Sequence, residues 1–324
     1  MTLVSHGRYT IDAADSKTVG RLDQGESVFF LRQLEYIDTQ AYMVKYPALM
    51  GRRLLPSISV PSTMHAYTYG QYKEYGIGKL IANMGDDLPM VNVAGSQFTS
   101  RIVPIGDAYG YDIFEIQAAA ATGFPLDALK AQAARYACEV GVDYLLAAGT
   151  MPDGTTITGV LGLYNQTGTT PYTPITKQLG GTNWGTLQAP NATGDEVAAD
   201  IMGIAANLYA VTKQIWQKFK IILPVAQYNY AIQKRLGSVS DTTALAFAMA
   251  NCPYIESIEP WWNAPANTMV AFPNDPVAVG AIVSQEWTPE PPQARNLMWI
   301  INSYMKTGGV VSKYPVAISY GVGI

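Results

Sequence analysis

The chain has 324 residues, a formal net charge of −4 at pH 7 and a charged fraction of 14%, whereas a typical soluble protein has about 25% charged residues. The sequence contains no cluster of Lys and Arg of the kind that binding to a nucleic-acid backbone requires. The composition therefore excludes a general phosphate-binding role. Two histidines and two cysteines are too few for most metal sites and for a disulfide scaffold.

The aromatic residues indicate burial between subunits. The chain contains 21 tyrosines and 6 tryptophans, and the cores of protein interfaces are enriched in these residues and depleted in Lys and Glu. We therefore expect extensive assembly. No run of about 18 apolar residues predicts a membrane span, and the first residues lack the apolar core of a signal peptide. We expect synthesis in the cytosol and no membrane partner.

Residues 1–34 are polar and predict an extended arm, and residues 35–55 mix helical spacing with a break at Pro47. From Pro56 to Pro104 the apolar residues alternate with polar ones, which predicts a long two-stranded hairpin. An isolated two-stranded ribbon is marginally stable in water, so we expect the hairpin to lean on another subunit. Its candidate assembly residues are Tyr67, Tyr69, Tyr72, Lys73, Tyr75 and Lys79.

The strongest helical signal follows the hairpin. Asp112 and Glu115 have capping-box spacing for a short helix that ends before Gly123. Apolar residues at steps of three and four then predict a long helix from Pro125 to Ala148, with Gly149 as its stop. The stripe that we expect to be buried consists of Leu126, Leu129, Tyr136, Val140 and Tyr144, together with Ala133 and Ala147.

The rest of the chain predicts a compact module of alternating helices and strands. Helices are predicted at Asp195–Gln217 and Asp241–Asn251, with a β-like run FKIILPVAQYNYAI between them. Residues 254–275 predict strand, turn, strand. The segment Trp287–Pro292 contains three prolines and predicts a linker at a domain boundary. The final segment predicts a strand, a turn at Gly308-Gly309 and a last β run.

Few residues suggest catalytic chemistry. The run GIGK lacks the spacing of a phosphate loop, and a solvated hairpin tip accounts for Asp86-Asp87 better than a cation site does. Two carboxylates beside aromatic platforms can serve glycoside hydrolysis, as in the cluster Glu256, Glu259, Trp261 and Trp262. Spacing of three along a strand places the two carboxylates on opposite faces. We therefore predict no catalytic residue, no cofactor and no metal.

The order of these parts resembles the tailed-phage major capsid proteins of the HK97 type. The long helix followed by PDGTTITGVLGLYN is similar to the family's Gly…Gly-x-x-x-x-Asn passage into the axial domain. The stretches EYIDTQAYMVKYPALMGRRLLP and RIVPIGDAYGYDIFEIQAAAATGFPLDAL resemble a divergent branch of the family. The resemblance implies an α+β fold with an N-terminal arm (1–34), an extended loop (56–103), a peripheral domain (35–55, 104–158 and 285–324) containing the spine helix, and an axial domain (159–284).

The resemblance also implies a function. The chain is expected to be a major capsid protein that forms hexamers and pentamers of an icosahedral head shell, assembled in the host bacterial cytoplasm. Scaffolding, portal and decoration proteins are the expected partners, and the shell encloses DNA without sequence-specific binding. Some members cross-link subunits through a Lys–Asn bond. Lys73 and Lys79 lie on the predicted hairpin, but the sequence identifies no acceptor for them.

Three alternatives remain open from the sequence. An encapsulin-like nanocompartment shell would use the same fold around a cargo enzyme. A glycoside-active enzyme would use Glu256 or Glu259. A tail or decoration protein would differ from a major capsid protein in its copy number per particle.

Overall fold

The computed structural model describes residues 46–80, 90–122, 126–237 and 240–324. Residues 49–324 form one compact unit. The predicted arm at 1–34 and the acidic pair Asp86-Asp87 lie outside the described residues, as does Pro125 at the predicted start of the long helix.

Helices and strands are numbered here in chain order. The helices are α1 (Gly51–Leu54), α2 (Ile113–Thr122), α3 (Leu126–Ala148), α4 (Gly194–Val211), α5 (Val225–Gln233) and α6 (Ala244–Asn251). The strands are β1 (Ser57–Ser59), β2 (Ala66–Tyr75), β3 (Asn92–Arg101), β4 (Val103–Asp112), β5 (Thr170–Tyr172), β6 (Phe219–Pro224), β7 (Ile255–Trp261), β8 (Thr268–Phe272), β9 (Val279–Pro289), β10 (Gln293–Arg295), β11 (Met298–Ser312) and β12 (Ser319–Val322).

The strands form two sheets and one separate hairpin. In the first sheet the order is β1-β9-β11-β10, and β4 pairs with β11 as well. In the second sheet the order is β5-β12-β8-β6-β7. Strands β2 and β3 pair only with each other among the described strands. One buried apolar cluster lies where α3 meets residues of both sheets, and a second lies between α4, α5, α6 and the second sheet.

Helix α3 forms where the sequence predicts it, but its buried stripe is different. Its buried side chains are Ala134, Cys138, Val142, Asp143, Leu145, Leu146 and Ala147, so Ala147 of the predicted stripe is buried, whereas Ala133 is exposed. The predicted core residues Leu126, Leu129, Tyr136, Val140 and Tyr144 are each only partly buried. The physical reason is close packing through small residues: a Cβ added to Gly141 would lie 3.4 Å from Ile105 of β4. A larger side chain at Gly141 would hold this part of the helix off β4, whereas Leu145 and Leu146 fill the core nearer the end of the helix.

Three other predictions about local structure are wrong. The β-like run is strand only as far as Pro224, and α5 follows it directly. The predicted linker at 287–292 begins within β9, which runs to Pro289 and pairs with β11. The predicted turn at Gly308-Gly309 is a register shift inside the continuous strand β11. There Gly309 has φ +70° and approaches Leu161, whose carbonyl accepts a 2.7 Å hydrogen bond from the N–H of Val310.

The predicted domain limits differ from the strand pairing in two places. Ser57–Ser59, predicted within the hairpin, runs parallel to β9 in the first sheet. Strand β12, predicted in the peripheral domain, pairs with β5 and β8 in the second sheet. Residues 254–275 form the predicted strand, turn and strand as β7 and β8, and β6 lies between these two strands in the sheet.

The passage that follows α3 is held by a tight crossing of the backbone. Gly149 ends the helix with φ +68°. The side chain of Asn165 donates to the carbonyl of Ala148 over 2.8 Å and accepts from the N–H of Gly162 over 2.6 Å. A Cβ on Gly162 would lie 2.4 Å from the backbone nitrogen of Ala148. Gly149, Gly162 and Asn165 therefore close the end of the helix, and the last two stand at the spacing Gly-x-x-Asn.

A buried carboxylate ties α1 to α3 and β7. Asp143 accepts hydrogen bonds from the N–H of Gly51 at 2.7 Å and from the indole N–H of Trp261 at 3.1 Å. Burial raises the pKa of Asp143, and the N–H donors offset this only in part. On the outer side of α1, Arg53 pairs with Glu259 at 2.6 Å and Arg52 pairs with Glu286. Helix α1 thus contacts both sheets.

We expect Leu145→Ala to lower the free energy of unfolding by about 2–5 kcal/mol, because it leaves a cavity at a fully buried site. The matched change Leu129→Ala should cost far less, since Leu129 is only partly buried. Denaturant unfolding of the unassembled protein measures both. Equal losses would show that the predicted stripe is the buried one after all.

The close approach of Gly162 to the backbone of Ala148 leads to a second prediction. Gly162→Ala should lower the free energy of unfolding by about 3 kcal/mol, since the new methyl group meets backbone atoms that cannot move independently. Gly78→Ala is the control, because nothing lies within 4 Å of its added Cβ. A Gly162→Ala protein as stable as the control would disprove the close approach.

Candidate assembly interface

The hairpin has the length that the sequence predicts. Strands β2 and β3 pair in an antiparallel ladder from Ala66 opposite Arg101 to Tyr75 opposite Asn92. Ten residues in each strand give a ribbon about 33 Å long. At its base, the N–H of Arg101 donates to the carbonyl of Gly159 over 3.0 Å, and the N–H of Ile102 donates to the carbonyl of His65.

One face of the hairpin base packs on its own subunit. The hydroxyl of Tyr69 donates to the carbonyl of Ser312 over 2.9 Å, and its ring stacks on Phe98 with centroids 5.5 Å apart. Burial raises the pKa of Tyr69. Tyr67 packs against the small cluster of Val60, Ile102, Ile282 and Val311. Tyr67 and Tyr69 therefore anchor the hairpin to its own body.

The other predicted hairpin residues point outward. Tyr72, Lys73, Tyr75 and Lys79 are exposed. The Tyr72 ring covers Gly95 on the opposite strand, where an added Cβ would lie 3.3 Å from the ring. This cross-strand cover of a glycine strengthens the ribbon. The sequence-predicted set thus divides into two anchors and four exposed residues.

Beyond Tyr75 the hairpin exposes large apolar side chains. Ile77, Leu80, Met90 and Val91 are exposed by 81%, 92%, 95% and 72%. We call these four residues the distal apolar group. Contiguous exposed apolar surface marks an interaction site in a soluble protein. Sequence reasoning missed this group, although Ile77 and Met90 lie within the GIGK and DDLPM runs, and Leu80 and Val91 directly follow these two runs.

A cleft of about 640 Å³ separates the hairpin base from the body. Tyr69, Phe98 and Lys73 line it on the hairpin side, and Leu161 and Val316 line it on the body side. The cleft is open to solvent and mostly apolar, so it offers a second surface on which a neighbouring chain can pack.

The residues considered for catalysis have structural partners. Glu259 is paired with Arg53, and Glu256 accepts a 3.1 Å hydrogen bond from Asn274. The two carboxylates sit three residues apart on β7, so they project from opposite faces. Within the described ranges no group of three or more His, Cys, Asp or Glu could hold a metal ion. No described helix is both long and apolar enough to cross a membrane.

Comparison with known proteins identifies the family. The model of the major capsid protein family matches residues 76–324. The chain belongs to the major capsid protein family. No curated protein matches it, so this branch is divergent, as its sequence suggested.

Solved structures share the fold at low sequence identity. The capsid of Myoviridae phage XM1 is similar with a TM-score of 0.77 at 17% identity, covering 92% of this chain and 99% of that one. Mycobacterium phage Ogopogo gives a TM-score of 0.60 at 12% identity, with coverages of 91% and 99%. A virus-like particle from Pyrococcus furiosus gives 0.52 at 12% identity, with coverages of 83% and 90%.

The HK97-type α+β fold predicted from the sequence is therefore confirmed. The protein is a structural component of a phage virion, and many copies of it form the capsid shell. The encapsulin-like alternative is not favoured, since the family is that of major capsid proteins.

The division of the hairpin tyrosines can be tested by removing one hydroxyl at a time. Tyr69→Phe should lower the free energy of unfolding by about 1 kcal/mol, because it leaves the Ser312 carbonyl without its donor. Tyr72→Phe should change it by less than about 0.5 kcal/mol, since its hydroxyl is on an exposed side chain. Thermal unfolding of unassembled protein compares the two, and the reverse order would refute the assignment of Tyr69 as an anchor.

Proposed function

We propose that this protein builds an icosahedral head shell from rings of five and six copies, and that the distal apolar group of each hairpin packs on an adjacent copy. The observation that carries this proposal is the exposure of Ile77, Leu80, Met90 and Val91 on a ribbon whose base is fixed to its own body. Such side chains are stabilised only when a partner removes them from water. Contacts between unlike surfaces, repeated around an axis, close rings.

The proposal assigns the two sheets to the two domains of the family. The first sheet and α3 form the peripheral domain, with α3 as its spine. The second sheet with α4, α5 and α6 forms the axial domain, to which residues 319–324 are added because β12 pairs there. Strands β2 and β3 belong to the extended loop.

The partners and compartment follow from the same proposal. The shell forms in the host bacterial cytoplasm with a scaffolding protein and a portal, and it accepts decoration proteins on its surface. DNA is enclosed without sequence-specific contacts, in keeping with the net charge of −4. The protein works as a structural subunit and catalyses no reaction. Lys73 and Lys79 remain candidates for a covalent cross-link between subunits, and its acceptor residue is not assigned.

Negative-stain microscopy of the expressed protein tests the proposal. The unaltered protein should form closed shells of defined diameter. The double variant Ile77→Asp and Val91→Asp should fold with an unchanged unfolding temperature, because both side chains are exposed, and should form no shells. The conservative pair Ile77→Val and Val91→Ile is the control and should assemble.

A protein that stays monomeric under all assembly conditions would overturn the proposed shell function. Normal shells from the Asp double variant would overturn the role of the distal apolar group and leave the shell function standing.

A further inference from the structure

Helix α4 carries unlike exposed surfaces at its two ends. The helix has 18 residues and is therefore about 27 Å long. A loop of residues 175–192 packs on its first turns, and a turn of residues 212–218 follows its last residue, Val211. Each surface combines apolar and charged side chains, but the charges have opposite sign.

The loop at the start of α4 is firmly held. Asp200 accepts hydrogen bonds from the N–H of Ile175 and the indole N–H of Trp184, both at 2.8 Å. It also pairs with the fully buried Lys177. The N–H of Gln178 donates to Glu196 over 2.7 Å. Leu179, the next residue, is nevertheless 75% exposed, so a rigid loop presents an apolar side chain to solvent.

The exposed charge beside Leu179 is negative. Asp195 is exposed, and Glu196 in the same turn is only partly covered. Cations in this region are occupied: Lys177 pairs with Asp200, Arg235 pairs with Asp241, and the Lys234 ammonium lies 5.5 Å from the centroid of the Tyr230 ring. We call Leu179, Asp195 and Glu196 the loop patch.

The turn at the other end of α4 is also held in place. Lys213 and Gln214 both adopt positive φ, at 50° and 65°, which non-glycine residues adopt at a cost. The indole N–H of Trp216 donates to Asp275 over 3.0 Å, and its ring meets Tyr314 edge-on at 5.4 Å. Packing around Trp216 therefore fixes the turn.

This turn exposes an apolar side chain between two cations. Ile215 is 69% exposed, and Lys213 and Lys218 are exposed on either side of it in the chain. The one acid among the contacts described for this turn, Asp275, is bonded to Trp216 and to the N–H of Val277. We call Lys213, Ile215 and Lys218 the turn patch.

We infer that the turn patch of one copy contacts the loop patch of the next copy around a ring. The inference rests on the proposed shell function and adds the surfaces that join adjacent copies. Opposite charges select this pairing and reject like-with-like contacts, while Ile215 and Leu179 are removed from water. Because the two patches differ, the contact is heterologous and repeats around an axis until the ring closes.

Charge reversal tests the contact. Asp195→Lys combined with Glu196→Gln gives a copy with two basic patches, and Lys213→Glu with Lys218→Glu gives a copy with two acidic patches. Each variant should unfold within a few degrees of the unaltered protein, because Asp195, Lys213 and Lys218 are exposed and Gln also serves at the third helical position of a capping box. Each alone should lose at least 10-fold in particle yield at low salt. Asp153→Lys, at an exposed site in another loop, is the control and should assemble normally.

Mixing the two variants gives the sharpest result. An alternating ring satisfies every contact when its number of copies is even, so the equimolar mixture should form six-membered rings and open tubes or sheets. A five-membered ring must contain one like-charge contact, so the mixture should form no closed shells. A single chain carrying all four changes should form closed shells again.

Two outcomes would overturn the inference. One is normal shell formation by either variant alone. The other is failure of both the mixture and the combined variant to assemble, which would show that the changes act elsewhere. Both outcomes assume that the unaltered protein forms shells, and its failure to do so would instead refute the proposed shell function.

Discussion

The arrangement of this protein depends on one backbone crossing that only glycine permits. Gly162 passes so close to the last turn of α3 that a Cβ would overlap the backbone of Ala147 and Ala148. The side chain of Asn165 donates a hydrogen bond to the carbonyl of Ala148 at the helix end and accepts one from the N–H of Gly162 in the crossing segment. The side-chain amide of Gln166 then donates hydrogen bonds to the carbonyl of Gly162 and to the carbonyl of Val310 in β11. A helix end and a strand of the first sheet are thereby fixed to the chain that leads to the second sheet.

The same crossing determines how the hairpin is held. Gly159, three residues before Gly162, accepts the hydrogen bond from Arg101 at the end of β3. Leu161 pairs with Gly309 of β11 and lines the cleft beneath the hairpin. The hairpin base is thus held by the segment that closes α3, and Tyr69 adds a contact to Ser312 at the end of β11. A ribbon that would be marginal in isolation gains a fixed base from the core.

Periodic patterns in the sequence predicted which helices and strands form better than they predicted which residues pack against one another. The hairpin and α3 were predictable because alternation and 3.6-residue spacing extend over many residues. The buried stripe of α3 was not, because small residues such as Ala134 and Gly141 contribute little hydrophobic signal and yet allow the closest packing. Two adjacent glycines suggested a turn at Gly308-Gly309. The structure shows that Gly309 is needed for its close approach to Leu161, a contact that local sequence does not reveal because the two residues are far apart in the chain. Pro289 suggested a linker because proline disfavours regular structure, but the end of a strand tolerates it.

The candidate site shows the same limit. Tyr67 and Tyr72 lie on one predicted strand, and only the strand register reveals that Tyr67 packs on its own body while Tyr72 covers Gly95. Exposure, which defines an interface, depends on which contacts the rest of the chain supplies. A single sequence carries the residue types for these contacts but does not state which of them the subunit itself uses.

The low charge content has a consequence for assembly. Several of the charges in this chain are used inside the subunit, as in Lys177 with Asp200 and Lys130 with Glu115. Apolar contact alone is non-directional, so a surface rich in exposed apolar groups can join in many ways. The few exposed charges that flank such groups therefore decide which contact forms. A shell needs the same contact to repeat many times without error, and the opposite charges beside Leu179 and Ile215 favour this pairing over like-with-like contacts.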